Sequence, residues 1–319
     1  LLHTLADYRD RHAQYKGDPH LQAAHAAAPW MMVWDDHEVD NDYADNRPED
    51  GMDREAFLLR RAAAYRAYYE HLPLPARMRP RGPDMRLHTS LGWGSLARLH
   101  MVDTRQYRSW QACPRPNRAG GGNTLDIEQC AALADPGRSM LGLAQERWLE
   151  DGLAASRARW NVLAQATRMA QFDQKPGPGR SAWTDAWDGY PAARRRLLQT
   201  FSERNVSNPV VIGGDIHAFM VAQLKADFDD PDSPSVASEF IGTSITSQGW
   251  PQERVAEHFL PANPRVEAID GLSMAFDDWR FNLRASNTEP LLRLNLEAKS
   301  KELMEEKRDL LLSSIRGTA

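Results

Sequence analysis

Twice along this chain a short apolar run ends at a cluster of acidic and histidine residues. The first is Pro29-Trp30-Met31-Met32-Val33-Trp34, followed at once by Asp35-Asp36-His37-Glu38-Val39-Asp40-Asn41-Asp42. The second is Pro209-Val210-Val211-Ile212, followed by Gly213-Gly214-Asp215-Ile216-His217. Each run reads as a buried strand that stops in a loop, the usual place for functional residues. In an extended chain, residues two apart point to one side, so Asp215 and His217 are placed to address one ion. Gly213 and Gly214 let other groups approach the backbone closely. A simpler reading stays open: acidic residues at strand ends often cap a following helix. Asp-x-His alone is a weak signal. Asp36-His37-Glu38 behind an apolar strand is a stronger one, because that many desolvated charges are costly without a cation.

Carboxylate, amide and imidazole groups suit Ca, Mg, Mn, Fe or Zn, and an oxygen-rich set leans to the harder ions. Two such metals about 3.5–4 Å apart can bind a phosphoryl group and activate a water for in-line attack.

The surrounding pattern is layered. Residues 3–28 read as helical and amphipathic, with Gly17-Asp18 before Pro19 lying between helices, and 53–71 as an Ala- and Arg-rich helix. Strands are expected at 85–92, 95–103, 159–165, 209–212 and 236–242, and helices at 143–156 and 191–204. Residues 111–140 read as an irregular loop and 173–190 as a Gly-, Pro- and Trp-rich rim. Trp183 and Trp187 in that rim either shape a mouth or fill gaps between layers. This alternation predicts an α/β domain. Beyond Pro264 the composition changes. Three strand-like stretches from 271 to 297 and a charged helix at 299–315 form a small α+β unit. The predicted division is therefore 1–264 and 265–319.

The 319 residues carry a net charge of −5, which argues against a nucleic-acid-binding face. No apolar run approaches the roughly 20 residues needed to span a bilayer. The chain opens on Leu1 with no signal peptide and reads as the inside of a domain, so a truncated or processed start is expected. Cys113 and Cys130 lie in the same irregular loop. Either they are free thiols, or they pair and close a loop worth on the order of 3 kcal/mol in an oxidising compartment.

Seven strings occur in one order: W-D-D-H-E with N-D-Y-A, L-G-W-G-S-L-A-R-L-H-M-V-D-T-R-Q-Y-R, M-L-G-x-x-Q-E-x-W-L, W-D-G-Y-P, G-G-D-I-H-A and E-F-x-G-T-S-I-T-S. Over residues 1–264 the chain thereby resembles the PhoD-type alkaline phosphatases, which are calcineurin-like metallophosphoesterases. The resemblance implies a four-layer α/β/β/α core, here incomplete at the N-terminus. It implies hydrolysis of small phosphomonoesters and phosphodiesters, iron and calcium ions, and an exported protein. It further implies metal ligation by Asp36, Asn41, Asp215 and His217, with His37 near the metal or protonating the leaving group. Asp103 and Arg105 match the family's D-T-R element. They read as a buried ion pair, with Arg105 as a phosphate contact the sharper alternative. The family's early G-D-x-x-Y element does not occur in the chain, so an incomplete ligand set and impaired activity are expected.

The string from Asp270 to Ala298 resembles the last domain of phosphomannomutase and phosphoglucomutase enzymes. There R-x-S-N-T-E-P binds phosphate, which places Arg284, Ser286, Asn287, Thr288 and Arg293 in that role. An arginine fork and neighbouring hydroxyl and amide donors suit phosphate oxygens. A polar turn with an exposed arginine is the plain alternative. The principal functional expectation is a phosphoesterase. Its competitors are a non-catalytic phosphate- or phosphosugar-binding fusion and a fusion with no function.

Overall fold

The N-terminal stretch folds as two helices, α1 (Leu5–Lys16) and α2 (Pro19–Ala27), with Gly17-Asp18 between them as the sequence predicts. The break has a local cause. Thr4 and Asp7 close a capping box on α1, with Asp7 N donating to Thr4 Oγ1 at 3.2 Å and Thr4 N donating to Asp7 Oδ2 at 2.8 Å. Asp18 then starts afresh, its Oδ1 accepting from His20 N and Leu21 N ahead of Pro19 at the first helical position. This computed structural model describes residues 1–175, 179–230, 232–249, 265–267, 272–285 and 292–316. The chain divides into two units, Leu1–Thr243 and Ser244–Ala319.

In the first unit, α3 (Arg54–His71) is followed by β1 (Thr89–Trp93), β2 (Ala97–Met101), β3 (Thr124–Asp126) and α4 (Leu143–Ala154). Then come β4 (Trp160–Ala164), β5 (Ser181–Trp183), α5 (Pro191–Glu203), β6 (Pro209–Gly213), β7 (Met220–Lys225) and β8 (Ser235–Ile241). Six strands form one sheet in the order β1-β2-β4-β6-β8-β7. Its four central strands are parallel, and β1 and β7 are antiparallel edges. The mixed α/β class is as the sequence predicts. Strands β3, β5 and β7 are additions to the expected set. The first two form a separate ribbon between the loop at 111–140 and the rim at 173–190.

One face of the sheet is covered. Leu149, Leu153, Leu197, Leu198 and Phe201 from α4 and α5 pack on Leu163, Val211, Leu224 and Ala237 from the strands. Trp187 is buried in this core, so it fills space between layers. The strand alternation sends Leu91, Trp93, Ile212, Val221 and Phe240 to the other face, where Trp93 is 67% and Val221 55% exposed. A second cluster joins Tyr8, Trp34, Tyr43, Phe57, Tyr65, Met85 and Leu87 around α1 and α3.

The run Pro29–Trp34 corrects the sequence reading. It forms no ladder with any described strand, and Trp30 and Met31 are exposed. Its inner end is held by side chains instead. Trp34 stacks on Tyr65 with centroids 4.1 Å apart and donates Nε1–H to Asp103 Oδ1 at 2.9 Å. The aromatic pairing to α3 takes the place that a neighbouring strand would occupy.

The second unit contains β9 (Arg265–Glu267), β10 (Leu272–Ala275), β11 (Trp279–Ala285), β12 (Leu292–Ala298) and α6 (Lys301–Arg316). The sheet order is β12-β11-β10-β9, all antiparallel. The three predicted strands and the helix are present, and β9 is added.

Candidate metal centre

The carboxyl ends of parallel strands are where open α/β sheets gather their ligands. Here β2 leads to Asp103 and Arg105, β4 to Thr167, and β6 to Asp215. The turn after Trp34 brings Asp35 and Asp36 to the same place. Asp35, Asp36 and Asp215 each offer an oxygen, and these atoms all lie within 4.8 Å of one another. Asp36 is buried, while Asp215 keeps an open side. Asp36 Oδ2 also accepts from Asp42 N at 2.9 Å, which closes the 36–42 turn on itself.

Beneath this group lies a fully buried arginine. Arg105 Nε donates to Asp35 Oδ1 at 2.6 Å and Nη1 pairs with Asp185 Oδ2 at 2.8 Å. Its Nη2 stands 3.8 Å from Asp36 Oδ1 and makes no hydrogen bond. Asp185 is buried as well, and it also takes Arg108 Nη1 at 2.6 Å and Gln111 Nε2 at 2.7 Å. Asp103 is bonded to Trp34 and to the backbone N–H groups of Arg105 and Gln106, so it holds this corner together rather than pairing with Arg105.

Burial pushes the Asp215 carboxyl well above the usual range, and the charges of Asp35 and Asp36 add to the effect against Arg105. Burial raises Asp35 too, with Arg105 opposing and Asp36 reinforcing. Glu38 is pushed up to about 6 by burial, with Asp35 and Asp36 adding, although Asp35 N donates to its Oε2 at 2.6 Å. Asp42 is raised to about 6 by burial and then by the Asp185 charge. Asp185 goes the other way. Burial would raise it, but Arg105 and Arg108 hold it below the usual carboxylate range. One guanidinium shared among crowded carboxylates leaves the group short of positive charge. Its all-oxygen donor set fits a hard cation such as calcium.

The other expected site residues are placed as follows. His37 is on the rim, its side chain 77% exposed and its Nε2 3.9 Å from Asp36 Oδ2. Asn41 Nδ2 donates to Glu49 Oε2 at 2.7 Å. His217 lies outside the three-carboxylate group. The extended-chain reading of Asp215 and His217 is corrected: both adopt left-handed backbone conformations, φ 70° and 55°, just before and within the bend at 216–218. The alternation that would aim them together therefore does not operate. Cys113 and Cys130 form a disulfide. In the second unit Arg284 and Arg293 are register partners across β11 and β12, while Ser286, Asn287 and Thr288 lie outside the described residues. Sequence reasoning missed Asp35, Thr167 and Asp185 as site residues. Asp35 adjoined a chosen ligand, and Asp185 carried the only other local hint, an acid inside a tryptophan-rich segment.

A mixed α/β frame with an oxygen-rich group at parallel strand ends fits a phosphatase. The chain belongs to the PhoD-like phosphatase family, whose profile matches residues 1–277. It is 44% identical over 287 residues to alkaline phosphatase D of Bacillus subtilis (strain 168), covering 89% of this chain and 46% of that protein. A solved structure of PhoD superposes with a TM-score of 0.73 at 38% identity, covering 94% of this chain and 59% of that one. The chain thus spans about half the length of these relatives. Residues 253–312 match the phosphoglucomutase/phosphomannomutase C-terminal domain. Over 78 residues the chain is 52% identical to a phosphomannomutase of Salmonella typhimurium, covering 24% of this chain and 17% of that protein. Enzymes of the PhoD-like family are metal-dependent. No described helix is long and apolar enough to cross a membrane.

Proposed function

We propose that residues 1–264 are a phosphoesterase unit of the four-layer class, hydrolysing small phosphomonoesters or phosphodiesters, and that 265–319 form a separate phosphate-binding unit. The observation that carries this reading is the convergence of Asp35, Asp36 and Asp215 over a buried arginine with one nitrogen left without an acceptor. These three carboxylates would hold a cation, calcium being the best fit, with Asn41 and His217 as further ligands and iron as the second metal of the pair. When bound, such ions polarise a phosphoryl oxygen and lower the pKa of a bound water. Arg105 holds Asp35 in place and offers its Nη2 to anionic charge that enters the group. His37, solvated on the rim 3.9 Å from Asp36, would return a proton to a departing alcohol. Asp185 fixes the arginine from behind.

The test is hydrolysis of bis(p-nitrophenyl) phosphate by the purified chain with calcium and iron supplied. Turnover above that of Asp215→Asn is expected; equal rates would sink the assignment. The match over 253–312 and the facing positions of Arg284 and Arg293 favour a second reading for that unit. In it, Arg284, Ser286, Asn287, Thr288 and Arg293 bind phosphate or a phosphosugar without turnover. Calorimetry with a hexose phosphate, repeated on Arg284→Ala, decides it.

A further inference from the structure

We infer that Thr167 is the positioning residue that orients Asp215 toward its cation, an inference that rests on the metal-site reading above. Thr167 is fully buried, and its Oγ1 donates to Asp215 Oδ2 at 2.6 Å. A carboxylate has about four lone-pair directions. One strong hydrogen bond from a buried hydroxyl takes up one of them and fixes the plane of the rest. Asp215 needs such a hold. Its φ of 70° is a conformation that residues with a Cβ keep only when their surroundings enforce it.

The turn carrying Thr167 is itself held on several sides. Gln165 Oε1 accepts from Thr167 N at 3.1 Å and from Trp187 Nε1 at 3.1 Å, while its Nε2 donates to the Thr167 carbonyl. Gly214 N donates to Ala166 O at 2.9 Å, lacing the turn to the end of β6. Glu239 on β8 accepts from Met169 N at 2.6 Å and Ala170 N at 2.8 Å. A Cβ on Gly213 would stand 2.6 Å from both Gln165 Nε2 and Thr167 O, so a glycine is required for β6 to end flush against the turn. Three parallel strands thus contribute to one hydroxyl aimed at one carboxylate. Outer hydrogen-bond partners of this kind orient metal ligands, and losing one weakens metal binding by about 10–100-fold.

The experiment titrates the full chain with terbium, a luminescent stand-in for calcium, and displaces it with calcium. Thr167→Val keeps the volume and removes the donor. It is expected to weaken binding by about 10–100-fold with little change in the melting temperature of the metal-free protein. Thr167→Ser keeps the donor and should bind within about twofold of wild type, the recovery that a hydrogen-bond role requires. If Thr167→Val is too unstable to titrate, Thr167→Ala removes the same donor without adding bulk. Wild-type affinity in the donorless variant, or no recovery with serine, overturns the positioning role while the metal site stands, provided Asp215→Asn has lost binding. Wild-type affinity in Asp215→Asn, or no binding by the wild type, overturns both.

Discussion

Replacing Asp185 by asparagine isolates the buried charge network beneath the site. The carboxylate takes hydrogen bonds from Arg105 Nη1, Arg108 Nη1 and Gln111 Nε2, and it and both arginines are almost fully buried. Asparagine matches its shape but removes the charge and turns an N–H₂ toward donors. Removing one partner of a buried ion pair costs about 3–5 kcal/mol, mostly the penalty of leaving the other charge uncompensated. Here two arginines lose a counter-charge, though Asp35 still answers Arg105. In a unit of this size each kcal/mol moves the melting temperature by about 2–4 °C, so a drop of about 6–20 °C is expected at pH 7. The pH dependence gives a second check. Asp185 sits below the usual carboxylate range, so its stabilisation is complete above the unfolded-state value of about 3.9 and fades as pH falls through its lower folded value. Wild type and variant should converge in acid. Thermal melts followed by circular dichroism read both effects. A drop under about 2 °C at pH 7 would refute the argument that this carboxylate neutralises the arginines.

Three further outcomes follow from buried groups elsewhere. His100 is buried with neither ring nitrogen hydrogen-bonded, and burial lowers it to about 4. As pH falls from about 6.5 toward that value the unfolded chain takes a proton that the folded one refuses, so roughly 3 kcal/mol of stability is lost. Melts of His100→Phe should therefore show a shallower acid slope, and equal slopes would count against it. Reducing the Cys113–Cys130 bridge, which spans 17 residues, should remove on the order of 3 kcal/mol, read as the loss in denaturant midpoint with reductant. Leu163→Ala on the covered face of the sheet should cost about 2–5 kcal/mol, whereas Val221→Thr on the open face should stay within about 0.5 kcal/mol. Similar losses in urea melts would mean that the second face is not open in solution.

Much of the local structure was legible in the residues. The helix at Arg54–His71 begins at Asp53, whose side chain accepts from Glu55 N and Ala56 N, and the predicted boundary differs by one residue. The strand Pro209–Gly213 and the helix Pro191–Glu203 fall where apolar runs, proline and the 3.6-residue period place them. The ordered motifs from W-D-D-H-E to G-G-D-I-H-A were enough to point to the family. These signals are short-range: each depends on neighbours within a turn or a strand, which the linear order preserves.

Other features belonged to the tertiary structure alone. Asp35 and Asp215 are 180 positions apart, and the parallel order β2-β4-β6 together with the Trp34–Tyr65 stack brings them to one point. The strand expected at 29–34 depended on a ladder partner that no described strand supplies. The aim of Asp215 was misjudged because alternation assumes extended backbone, whereas that residue is left-handed and its carboxylate is held by Thr167. Thr167 had no sequence signal and Asp185 only a faint one, its place between two tryptophans, because an isolated acid or hydroxyl gains a role only from what it touches. Propensity and periodicity place elements such as Arg54–His71 and Pro209–Gly213 to within a residue. Which carboxylates share a cation, and which arginine answers them, is set by long-range packing, whose contacts no local pattern encodes.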